Sequence, residues 1–70
     1  MQSFYFFFHK HEQYKNHVQQ VIASSNIKAQ FIMNATYSNK WSNMCTQDEF
    51  EALIKQNRTQ AFKPLPPLYY

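Results

Sequence analysis

Near its start the chain reads Ser3-Phe4-Tyr5-Phe6-Phe7-Phe8, a run that constrains the fold more than any other segment. Consecutive aromatic side chains with no breaker favour an extended strand over residues 3–8. Alternation sends Phe4, Phe6 and Phe8 to one face and Ser3, Tyr5 and Phe7 to the other. Both faces then need cover, because an exposed strand of this kind is a template for aggregation. The chain has 70 residues, with seven Phe, five Tyr and one Trp. A domain this small buries only about 60% of the surface its unfolded chain exposes. The sequence therefore predicts more rings than one fold can hide, with some of them sheltered by a partner.

Glycine is absent. Turns that need positive φ must fall to other residues, Asn first among them, and a backbone-cradling phosphate loop is excluded. The size disfavours a deep cofactor cleft, so no cofactor, small-molecule substrate or catalytic residue is expected. Cys45 is the one cysteine, which rules out an internal disulfide and suits a reducing compartment. The aromatic run is too short to span a bilayer and lacks the flanks of a signal peptide. A soluble cytoplasmic protein is the expectation. The richness in Phe, Tyr, Ile, Asn and Lys matches AT-rich coding, which suits a short phage or mobile-element product.

Further along, Tyr14, Val18, Val21 and Ile22 recur at helical spacing and predict a helix over residues 10–24, closed by Asn26. Ile27, Ala29, Phe31 and Met33 then alternate with mostly polar residues, predicting a half-buried strand over 27–34. A turn near Ser38-Asn39-Lys40 returns the chain as a third strand over 41–45. Thr46-Gln47-Asp48-Glu49 is a capping box, with Cys45 and Phe50 at the positions of a hydrophobic staple. It predicts a helix over 47–57 that buries Phe50, Leu53 and Ile54. Pro64, Pro66 and Pro67 impose an extended course on the end of the chain. The expected architecture is an α+β domain over 1–62, of order β-α-β-β-α. Both helices lie on one face of a three-stranded sheet, and residues 63–70 form a Pro/Tyr-rich tail. A first crossover between parallel strands is expected to be right-handed.

His9, His11 and His17 match no zinc spacing, and the only thiol is Cys45. They read as packed or solvated histidines, and no metal site is expected. Cys45 sits just before a helix N-terminus, where a thiolate is favoured, but nothing else there resembles a nucleophilic site. The expectation is therefore a non-enzymatic protein-binding module, an inhibitor that blocks a host protein, and a homodimer. Its partner-binding residues are Tyr5, Phe7, Trp41, Tyr69 and Tyr70, types that dominate binding energy. The rival reading is a binder of RNA or single-stranded DNA. There Lys28, Lys40, Lys55 and Arg58 hold phosphates while a sheet face stacks bases. The net charge of +3 is too small and too dispersed to favour it.

Overall fold

A computed structural model describes residues 1–9, 12–56 and 62–70. The element order is β1 (Gln2–Phe7), β2 (His17–Ala23), α1 (Asn26–Tyr37), β3 (Asn43–Thr46), α2 (Gln47–Lys55) and β4 (Lys63–Tyr69). The result is a small α+β fold with two helices and one mixed sheet of four strands, ordered β3-β1-β2-β4. The aromatic strand β1 is central, as its two-sided ring pattern requires. It runs antiparallel to β2, with Phe4 opposite Val21, and antiparallel to β3, with Tyr5 opposite Cys45.

Residues 17–23 are strand rather than helix. The helical spacing of Val18, Val21 and Ile22 is also that of a strand with apolar residues on both faces. Two features decide for strand: the β-branched side chains, and six backbone pairs against β1 that satisfy the polar main chain. Ser25 then starts a helix instead of following one, its hydroxyl accepting from the Lys28 amide at 3.3 Å. Residues 27–34 are correspondingly helix, not strand. Steps of two residues turn a helix by about 200°. The alternation therefore splits into two opposite stripes, Ala29 with Met33 and Ile27 with Phe31. Ala29 and Met33 are buried, whereas Ile27 and Phe31 are exposed. Positive φ falls to Ser38, at φ 58° and ψ −126°, whose amide donates to the Asn34 carbonyl at 3.0 Å. Asn26, expected to take that conformation, is the first residue of α1.

The helices lie on opposite faces of the sheet, not on one. Phe4, Phe6, Phe8, Val21 and Ala23 pack with Ala29 and Met33 of α1. On the reverse face Phe7, Val18 and Cys45 pack with Phe50 and Leu53 of α2. Topology accounts for this. β2 and β3 are both antiparallel to β1 and β4 is parallel to β2, so β2, β3 and β4 point the same way. The chain crosses from β2 out to β3 through α1, then back across the sheet to β4 through α2. Crossovers in opposite directions, if each is right-handed, put their connecting helices on opposite faces. The two faces of β1 are thereby covered by the chain's own helices.

α2 follows the sequence closely. Thr46 Oγ1 accepts from the Glu49 amide at 3.3 Å, and Glu49 Oε1 accepts from the Thr46 amide at 2.9 Å. Ile54, expected in its core stripe, is instead exposed. Asn57, the expected end of this helix, lies outside the described residues.

The Pro-rich segment is a fourth strand rather than a tail. β4 pairs in parallel with the edge of β2, and the register slips between Gln19 and Val21, opposite Leu65 and Leu68. Pro66 and Pro67 occupy that slip, and neither has an N–H for the ladder. Gln19 fills the gap. It is 1% exposed, and its amide nitrogen donates to the Pro66 carbonyl at 2.7 Å and to the Gln20 carbonyl at 2.9 Å. Its oxygen accepts from the Tyr37 hydroxyl at 2.7 Å. One buried side chain thus replaces the missing strand donor and ties β4 to α1. Leu65 and Leu68 complete the main core.

Candidate interaction surface

The five aromatic residues expected to meet a partner are not brought together. Tyr5 is stacked on Phe50 at 3.9 Å between centroids and 6° between planes, and its hydroxyl donates to Gln47 Oε1 at 3.2 Å. Phe7 is buried, with its ring edge-on to Phe62 at 5.1 Å. Trp41 is half-buried, edge-on to Phe6 at 5.0 Å, and its indole N–H donates to Asn34 Oδ1 at 2.9 Å. These three rings serve the fold, because α2 and the loop after α1 supply the cover that the sequence reading assigned to a partner. Tyr69 and Tyr70, by contrast, are 65% and 49% exposed.

Tyr70 belongs to a surface that the strand assignment of residues 27–34 hid. Its ring meets Phe31 edge-on at 5.7 Å and 82°, and the Lys28 ammonium lies 5.7 Å from its centroid. Ile27, 76% exposed, and Phe31, 62% exposed, form the outer stripe of α1 beside it. The signal for this stripe is present in the sequence. Ser25 can cap a helix, and the paired i, i+4 positions 27/31 and 29/33 then give one inward and one outward apolar ridge.

The basic residues of the rival reading do not converge either. Lys28 lies in the first turn of α1, Lys40 in the loop after that helix, and Lys55 at the end of α2 across the sheet. Arg58 lies outside the described residues. The aromatic sheet face that would stack bases is covered by Phe50 and Leu53.

Chemistry elsewhere is modest. Burial, and then the Glu49 carboxylate, push the Cys45 thiol up to about 11, which keeps it protonated at neutral pH and weakly nucleophilic. His9 stacks on Phe7 at 5.8 Å, His17 lies on β2, and His11 is outside the described residues. Among the described residues no three His, Cys, Asp or Glu side chains gather as metal ligands would. A cleft of about 310 Å³ beside α2 is lined by Phe7, Met44, Cys45, Leu53 and Phe62, with His9 and Asn43 as its polar groups. Among the described residues no helix is long and apolar enough to cross a membrane. Comparisons with protein-family models, curated proteins and solved structures found no match.

Proposed function

We propose that the protein is a non-enzymatic binding module that engages another protein through the outer stripe of α1 and the adjoining Tyr70. One observation carries the reading: Ile27, Phe31 and Tyr70 are gathered and exposed on a chain whose other Phe rings are buried or half-buried. Water-facing helix stripes are ordinarily polar, so keeping Ile and Phe there works against solubility unless the surface has a use. Aromatic anchors are the residue types that dominate interface energy. Steric occlusion of a host protein, as an inhibitor from a phage or mobile element would achieve it, needs nothing beyond such a surface.

The test is affinity purification from cells of the encoding species with nuclease present, comparing the parent chain with Phe31→Ser. A protein retained by the parent and lost from the variant is the expected result. Retention of the same proteins by both chains overturns the assignment of the surface. In a parallel purification without nuclease, recovery of nucleic acid alone, lost between 50 and 200 mM salt, favours the nucleic-acid reading instead.

A further inference from the structure

The partner's chemistry follows from how α1 differs from α2. α2 obeys the electrostatic preferences of a helix, with Asp48 and Glu49 in its first turn and Lys55 in its last. α1 has no acidic residue in its first turn, and places Lys28 there, at the positive end of the dipole. No Asp or Glu occurs anywhere from Gln13 to Gln47. Among the described residues the ion pair is Lys15 with Glu12 at 3.9 Å, and Lys28 has the Tyr70 ring beside it with no ion-pair partner among them. A cation at the wrong end of a helix, set in an exposed apolar stripe, is a local conflict of the kind that functional surfaces retain.

Area narrows the occupant further. From the usual areas of such side chains, Ile27, Phe31 and Tyr70 together offer roughly 300 Å². A stable dimer face buries about 800 Å² per partner. A second copy docked on the same patch would also bring two Lys28 ammonium groups together, which is unfavourable. The patch suits a single short segment laid along one helix, the recognition mode in which spaced apolar side chains supply the anchors.

We infer that this surface binds a short acidic amphipathic protein segment, its apolar side chains on Ile27, Phe31 and Tyr70 and a carboxylate at Lys28. The inference rests on the proposed binding role and adds the chemical class of the partner. Under it, the partner carboxylate supplies the negative charge that the first turn of α1 lacks.

The probes are two fluorescein-labelled 16-residue helical peptides with the same Leu/Trp ridge, one flanked by Glu and one by Lys. They are titrated with the full chain and followed by fluorescence anisotropy. The Glu peptide is expected to bind at least tenfold more tightly than the Lys peptide at 50 mM salt, with the ratio shrinking at 500 mM. Phe31→Ala should weaken the Glu peptide at least tenfold. Lys28→Glu should reverse the preference and Lys28→Gln should abolish it. Both positions are exposed, and circular dichroism verifies that each variant is folded. Equal binding of the two peptides, still sensitive to Phe31→Ala, overturns the acidic class while leaving the docking surface in place. Binding of neither peptide overturns the inference. So does a Glu preference untouched by any of these variants. A parent chain that sediments as a dimer and dissociates on Phe31→Ala makes a second copy the occupant and also overturns it.

Discussion

Gln19→Met is the most direct probe of how this glycine-free, proline-ended chain closes its sheet. Met keeps the length and approximate volume of the side chain but removes both its donors and its acceptor. Gln19 donates to the Pro66 and Gln20 carbonyls and accepts from the Tyr37 hydroxyl. Each buried group stranded without a partner costs about 1–3 kcal/mol, toward the lower end where water can reach it. Tyr37 and the edge strand are only partly enclosed, and Met itself gains from burial, so the net loss is about 2–3 kcal/mol. Urea denaturation followed by circular dichroism measures it. At an m-value near 1 kcal/mol/M for so small a domain, the midpoint should fall by about 2–3 M. A double-mutant cycle with Tyr37→Phe isolates the hydroxyl bond, with an expected coupling of about 1 kcal/mol. Amide exchange should also quicken at Leu68, on the strand that Gln19 tethers, and at Tyr70 just after it. A midpoint within 0.3 M of the parent, with unchanged exchange along β4, would refute the claim that this side chain replaces the missing strand donor.

Other outcomes test separate parts of the structure. Burial holds the folded Cys45 thiol near 11 against an unperturbed 9.0. The unfolded state therefore deprotonates first, and stability is full below pH 9 and lost as pH rises toward 11. The stability difference between the parent and Cys45→Val should shift by about 2 kcal/mol across that window in urea titrations, and a constant difference would contradict the burial argument. Ser38→Gly should stabilise by about 1 kcal/mol, raising the melting temperature by about 4–8 °C, because glycine relieves the backbone at φ 58° and ψ −126°. An unchanged or lower melting temperature would show that Ser38 carries no strain. Thr46→Ala removes the cap hydroxyl from the Glu49 amide and should cost about 1 kcal/mol in the same thermal assay. A loss under 0.3 kcal/mol would mean that the first turn of α2 is held by other contacts.

Legibility varied along the chain for identifiable reasons. β1 and α2 could be read because their signals are local: an unbroken aromatic run in one, and a capping box followed by Phe50 and Leu53 in the other. Residues 17–23 and 27–34 exchanged helix for strand because in both the apolar pattern fits either period. Val18, Val21 and Ile22 suit one helix face or two strand faces. Ile27, Ala29, Phe31 and Met33 suit one strand face or two helix faces. The candidate surface was lost with that exchange, since Phe31 moves from the core to solvent when its segment winds into a helix.

By itself the sequence determined that a two-sided aromatic strand would lie inside the fold, where α2 would start, and that the proline segment would be extended. Those are properties of a few adjacent side chains and their backbone angles. Tertiary structure decided the rest. β1 became central by pairing with β2 and β3 on its two edges, and the proline segment became β4 because Gln19 supplies a donor that the prolines lack. Crossing out through α1 and back through α2 placed a helix on each face. Tyr5 and Phe7 were thereby covered, and Ile27, Phe31 and Tyr70 were left outside. Pairing partners, helix side and solvent exposure depend on residues distant in the chain, and no local pattern contains them.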